Sequence, residues 1–362
     1  MLMNNYQLPP VSLLKSYQPD YVFLPNANFV SMHSVISSDE FQNEQAMALP
    51  IAAGRSFDGK LILFDLAKAP HLFLGGVDFR LRDKLHFGFE SIITPLLFKK
   101  KPSEIRFVTI GKSICYDPLQ KLLKPFLIPM PRHVHSEKYA YLLRIIDELN
   151  WVKDEMNRRL DMLAHNDNSF PYLVVMASGV IEDFVRGWEP KKLQKELQDI
   201  TLQLLANAHK VGIHLVFHQW YFKNDLITKS IVEQFQTRIA FHMDEAKPTL
   251  MFAGTKDPIH FDIGNGEMLY YHHGETIKGV CPRIEQSEID DILKYIKSQP
   301  ICPLNLSMTN SNCCVSKNSL CQTLTSAPRW QCSSAEKKIL PTASSANSPT
   351  AHRTSLKCSR SS

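Results

Sequence analysis

The sequence is short of the features that define several protein classes. No stretch approaches the roughly 18 consecutive apolar residues of a membrane-spanning helix. The opening string MLMNNYQLPP has neither a basic n-region nor an apolar h-region. Export and membrane insertion are therefore not expected, and the chain reads as cytoplasmic. Cysteine is nearly missing from the first 300 residues, where only Cys115 and Cys281 occur, so no disulfide scaffold is built there. Charge of one sign is missing too. The 362 residues sum to +5, but the sixty from Pro303 carry four Lys and three Arg against the single acid Glu336, a net of +6, which leaves the body at −1. A basic-protein argument for nucleic-acid binding thus rests on the tail alone.

That tail, residues 299–362, holds Cys302, Cys313, Cys314, Cys321, Cys332 and Cys358 but no CxxC pair and only one histidine, His352, so zinc ligation is not indicated. Its Ser, Thr, Asn and Pro content predicts disorder. The body is different. At 44% hydrophobic and 21% charged residues, the whole chain has the proportions of a packed globular protein, which excludes collagen-like, coiled-coil and wholly disordered readings.

After a proline-punctuated arm, short apolar runs alternate with longer segments of helical period, the pattern of a mostly parallel sheet covered by helices. The expected strands are His71 to Gly75, Ile105 to Ile110, Tyr172 to Ala177, Ile213 to His218 and Arg238 to His242, with a closing hairpin around Met268 to His273. Tyr139, Leu142, Leu143, Ile146, Leu149, Met156, Leu160 and Leu163 form the buried stripe of a long helix opening near Ser136. Leu193, Leu197, Ile200, Leu204 and Ala208 make a second stripe.

Several strings then carry a resemblance. LPIAAGRSFDGKLILFDLAKAPHL (Leu49 to Leu72), YQLPPVSLL (Tyr6 to Leu14), VSMHSVISSDEFQN (Val30 to Asn43), EMNRRLDMLA (Glu155 to Ala164), VGIHLVFHQ (Val211 to Gln219), TRIAFHM (Thr237 to Met243) and GNGEMLYY (Gly264 to Tyr271) stand in one order. In that order they resemble the motor domain of the FtsK/SpoIIIE family of DNA translocases. The resemblance implies an α/β, RecA-like P-loop NTPase fold, with residues 1–48 as a pre-motor arm and 49–298 as the motor domain. It also implies ATP and Mg²⁺ as the family's cofactors, and a hexameric ring of motor subunits around double-stranded DNA.

The nucleotide motifs depart from the family. A phosphate loop needs GxxxxGK[ST] between strand and helix, because glycines let backbone N–H groups turn inward while Lys meets the β/γ phosphates and Ser or Thr holds Mg²⁺. After the strand come Gly75, Gly76, Val77, Asp78, Phe79, Arg80, Leu81, Arg82, Asp83 and Lys84, so only Gly75, Gly76 and Lys84 remain as a degenerate loop. The family's acidic pair falls on Ser178 and Gly179, with Glu182 and Asp183 one helical turn later. Its polar sensor TQRP falls on Gln219, Trp220, Tyr221 and Phe222. Arg238, inside the unbroken TRIAF match, is expected to keep a role at the nucleotide, against the plainer role of pairing with an acid at a strand or subunit edge.

A GKS triplet, Gly111 to Ser113, follows another strand, but Arg106 stands where the first glycine of a phosphate loop belongs, so a plain turn is the better reading. His133, His135, His272 and His273 lack ligand partners at metal spacing. The expectation is therefore a motor domain that binds DNA or a homologous subunit in DNA segregation or transfer without hydrolysing ATP. The alternative is an active, divergent ATP-dependent DNA translocase.

Overall fold

Strands β3 (His71–Gly75), β5 (Tyr172–Ser178) and β6 (Ile213–Gln219) are nearly continuous apolar runs, and such strands are stable only when both faces are covered. The computed structural model, which describes residues 6–15, 30–77, 87–111, 121–130, 139–167, 170–180, 190–219, 229–263 and 265–299, covers them in that way. Nine strands form one sheet in the order β2-β1-β9-β8-β7-β3-β6-β5-β4. The remaining strands are β1 (Pro50–Ser56), β2 (Leu61–Asp65), β4 (Ile105–Gly111), β7 (Thr237–Ala240), β8 (Glu267–His272) and β9 (Glu275–Val280), and two short helices, α1 (Met32–Ile36) and α2 (Asp39–Gln42), precede the sheet. β7, β3, β6, β5 and β4 run parallel, while β8, β9, β1 and β2 extend the sheet antiparallel. The sheet is thus parallel in one half and antiparallel in the other, because the hairpin β8–β9 needs only a tight turn and no crossover.

The alternation of side chains along β3 separates two cores. Leu72 and Leu74 join Val174, Met176 and Val216 on the face covered by α3 (Phe87–Lys99), whereas Phe73 joins Val175, Leu215 and Phe217 under α4 (Ala140–Ala164) and α5 (Lys191–Asn207). The first core also takes in Tyr6, Leu14, Met32, Val35, Ile36 and Phe41 from the N-terminal arm and Ile289, Ile292 and Ile296 from the C-terminal helix Gln286–Lys297. The arm is further tied to that helix by the Lys15 N–H, which donates to Glu288 Oε1 at 2.6 Å, and by Tyr295 Oη, which donates to the Leu8 carbonyl at 3.2 Å.

Most sequence expectations agree to within a residue at each strand end. β7 is shorter than the expected Arg238 to His242, because His242 leaves the ladder and makes an isolated antiparallel bridge to Val77. The long helix is described from Ala140, and Ser136 lies outside the described residues. On its stripe Leu142, Ile146, Leu149 and Met156 are buried, while Leu143, Leu160 and Leu163 are half-buried. Residues 300–362 also lie outside the described residues.

The DLAK string owes its shape to one carboxylate. Asp65, 6% exposed, accepts backbone N–H groups from Ala48 at 3.0 Å, Leu49 at 2.8 Å and Ala67 at 3.0 Å, so it pins the chain leaving β2 against the chain entering β1. Hydrogen bonds to a charged acceptor are worth about 1.5–3 kcal/mol each, and donors left unmade inside cost more than ones returned to water. Asp65→Ala is therefore expected to lower the unfolding free energy by about 2–4 kcal/mol in urea denaturation, with Asp65→Asn retaining part of it.

Candidate functional site

In an open parallel sheet, ligands bind outside the carboxyl ends of the strands where the strand order reverses. Here the chain leaves β3, crosses to the far edge at β4, and returns through β5 and β6 to lie beside β3, before β7 is placed on its other side. The carboxyl ends of β3, β5, β6 and β7 therefore surround that reversal. Gly75 pairs with Gln219 on one side and Ala240 on the other, Ser178 pairs with His218, and Gly111 of β4 pairs with Ser178.

Gly75 ends β3 and Gly76 follows it. Gly76 has φ of +94°, and a Cβ added there would stand 2.4 Å from the His242 carbonyl oxygen, while its N–H donates to the Gln219 carbonyl at 2.9 Å. Close packing of β3, β6 and the end of β7 thus requires Gly76 whether or not a phosphate is bound. Gly111 of the GKS triplet has an equally local cause, since a Cβ there would lie 2.1 Å from the Ser178 carbonyl oxygen. Lys84, Lys112 and Ser113 lie outside the described residues, as do Glu182, Asp183, Trp220, Tyr221, Phe222, His133 and His135.

Ser178 and Gly179, where the resemblance would put an acidic pair, stand at the end of β5. Ser178 is fully buried and its Oγ lies 3.1 Å from Nδ1 of His218, itself 1% exposed. The His218 ring meets Phe89, in the first turn of α3, edge to face at 5.1 Å between centroids. Gly179 has φ of +61°, the left-handed region, and donates its N–H to the His218 carbonyl at 3.2 Å. Among the described residues, the ends of β3, β5 and β6 offer a hydroxyl, an imidazole and a carboxamide, with no carboxylate. Mg²⁺ prefers carboxylate and phosphate oxygens, which these three side chains do not supply; Asp78, Asp83, Glu182 and Asp183 lie outside the described residues. His218 was not singled out from the sequence. The available signal was the strand period, which puts Ser178 and His218, both polar at the ends of apolar runs, on the same face.

Arg238 lies in the middle of β7, opposite Phe73 on β3 and two residues short of Ala240, the partner of Gly75. It is 7% exposed, and its guanidinium stacks over the Tyr271 ring at 3.8 Å. Burial pulls its pKa below the usual guanidinium range, opposed by Tyr271 and by the charge of Glu233. The adjacent histidines are also engaged locally: His272 Nδ1 lies 2.8 Å from Thr237 Oγ1, and its ring meets that of His273 at 4.3 Å. Among the described residues no group of three or more His, Cys, Asp or Glu side chains could hold a metal ion. None of the described helices is long and apolar enough to cross a membrane.

No family model matches the chain. Among curated proteins, it is 28% identical over 290 residues to the DNA translocase FtsK of Chlorobaculum tepidum, a match covering 75% of this chain and 34% of that protein. It is likewise 28% identical over 267 residues to FtsK of Borreliella burgdorferi, covering 68% of this chain and 31% of that one. The chain thus spans about a third of the length of these relatives. Among solved structures, the cytoplasmic domain of the type VII secretion ATPase EccC of Thermomonospora curvata aligns with a TM-score of 0.58 at 13% identity, over 76% of this chain and 36% of that one. The pCW3 conjugation coupling protein TcpA, solved with ATPγS, aligns with a TM-score of 0.55 at 15% identity, over 74% and 73%. In sequence the chain is similar to FtsK DNA translocases over 68–75% of its length, and its fold is that of the P-loop NTPase motor domains.

Proposed function

We propose that this chain is a motor-fold domain that does not hydrolyse ATP and acts by binding double-stranded DNA or a homologous motor subunit, within DNA segregation or transfer in the cytoplasm. The observation that carries this reading is the buried Ser178–His218 pair with left-handed Gly179 beside it, at the place where, on this reading, phosphoryl transfer to water would need one carboxylate for Mg²⁺ and one to orient the attacking water. On this reading Gly75, Gly76 and Lys84 are what remains of a phosphate loop, Arg238 is a structural cation stacked on Tyr271, and assembly into a ring with active homologous subunits is the remaining asset of the fold. The second reading, an active divergent translocase, is favoured by one fact: TcpA, similar in fold, was solved with ATPγS.

Calorimetry on the full chain separates the two. ATP is titrated with Mg²⁺ present, and short duplex DNA follows in a second titration. The expected result is no heat with ATP up to millimolar concentration. Micromolar ATP binding accompanied by Mg²⁺-dependent turnover would overturn the proposal and put the active translocase first.

A further inference from the structure

At the end of the sheet opposite the candidate site, three imidazoles meet. His71 opens β3, His214 lies near the start of β6, and His209 sits in the short 3₁₀ turn Ala208–Val211 that joins α5 to β6. His71, 2% exposed, lies 5.9 Å from His209 between ring centroids. Its Nδ1 accepts the Leu215 N–H at 3.1 Å, so that nitrogen carries no proton, and its Nε2 faces the Leu205 carbonyl at 2.9 Å, so that one does. Leu205 belongs to the last turn of α5, where carbonyls run out of intrahelical donors. His214, 1% exposed, directs Nδ1 at the Pro70 carbonyl at 2.9 Å.

One of these contacts requires a neutral ring, the Leu215 N–H to His71 Nδ1, whereas the contacts to the Leu205 and Pro70 carbonyls favour a proton and are outweighed by burial. A proton added to His71 would set two N–H groups against each other at Leu215. A proton added to His214 must go to Nε2, which is buried without a hydrogen-bond partner among the described residues, as is Nδ1 of His209. Each added charge would also repel the neighbouring rings. Of the other charged groups that face the cluster, Asp65 favours a proton on His214, whereas Arg159 opposes it and Lys210 opposes one on His209.

We propose that His71, His209 and His214 form an acid-released clasp, which fastens the α5–β6 connection to the start of β3 and lets that connection open ahead of the rest of the sheet as pH falls. Burial, reinforced by the neighbouring imidazoles, pushes His71 down to about 3, and burial pushes His214 down to about 4. Both values lie below the ordinary 6.5, so the closed form binds fewer protons than the open one. The clasp is fully effective above pH 6.5 and is lost as pH falls from there through the closed-state values. At pH 5 the opening constant should exceed its value at pH 7.5 by about 30-fold for each of His71 and His214 set free.

Hydrogen exchange of the full chain, followed by mass spectrometry at pH 7.5, 6.0 and 5.0 and corrected for intrinsic rates, tests this. Peptides within residues 204–216 are expected to lose protection by at least that factor, and β4–β5 peptides much less. His71→Gln, which keeps a donor and an acceptor but does not titrate, should remove about 30-fold of the pH effect. Because that variant could fail to fold, the imidazole resonances of the unmodified chain give an independent readout, with His71 and His214 still neutral at pH 5. Equal acid sensitivity of both regions, an unchanged pH profile in the variant, or titration of His71 and His214 near 6.5 would each overturn the proposal.

Discussion

Replacing Glu155 by alanine is expected to lower the unfolding free energy by about 3–5 kcal/mol, the usual cost of stripping a buried cation of its partner. Glu155 lies on the buried face of α4 and accepts Arg158 Nε and Nη2, each at 2.7 Å, together with Arg159 Nε at 2.8 Å. Arg159 is 1% exposed, donates Nη1 to the carbonyls of Pro171 at 2.9 Å and Val211 at 3.1 Å, and stacks on Phe170 at 4.7 Å. One guanidinium thereby fastens α4 to the chain just before β5 and just before β6. Against a total stability of about 5–15 kcal/mol, that loss would leave a marginal fold. Arg158→Ala should cost under about 1 kcal/mol by the same measurement, urea denaturation, because its side chain is 37% exposed and its pair is screened.

The pH dependence has a definite sign. Burial raises the Glu155 pKa, but the hydrogen bonds and charges of Arg158 and Arg159 outweigh it and hold the carboxyl below its ordinary 4.5. Its contribution is therefore complete above pH 4.5 and is lost as pH falls through the folded-state value, a loss absent from Glu155→Ala. Equal stability of Glu155→Ala and Arg158→Ala would show that Arg159 is held by its carbonyl acceptors alone.

The sequence revealed local features better than long-range ones. β3, β5 and β6 were legible because strands buried on both faces are unbroken apolar runs. β9 was not, since Glu275, Thr276, Ile277 and Lys278 are exposed and carry no apolar pattern, so the hairpin was read without its second strand. The helical stripe of α4 was visible, but not Glu155 and Arg159 within it. Their burial depends on the Pro171 and Val211 carbonyls, which no helical period reports. At the candidate site, the hydroxyl that ends β5 and the glycine after it could be read directly from Ser178 and Gly179. The partner of Ser178 could not, because His218 comes from a strand forty residues away and meets it only through the parallel register of β5 and β6.

Introducing acids by Ser178→Asp with Gly179→Glu is expected to destabilise the protein by about 3 kcal/mol or more, without producing Mg²⁺-dependent ATP turnover. The two changes fail for different reasons. At position 178 a carboxylate would enter a fully buried site beside the His218 ring, which is itself covered by Phe89, so it would be desolvated there. Position 179 holds φ of +61°, and a side chain there meets a steric penalty of about 1–2 kcal/mol. The Gly179 N–H is moreover committed to the His218 carbonyl, so the backbone cannot relax without loosening the end of β6. Thermal unfolding reports the destabilisation, and phosphate release with Mg²⁺ and duplex DNA reports turnover. If the double variant kept its midpoint and hydrolysed ATP, the strand ends would still form a working nucleotide cradle, and only two side chains would separate this chain from an active motor. If each acid alone destabilises and neither confers hydrolysis, the backbone at the ends of β5 and β6 has itself been rebuilt around the hydroxyl, imidazole and glycine now present.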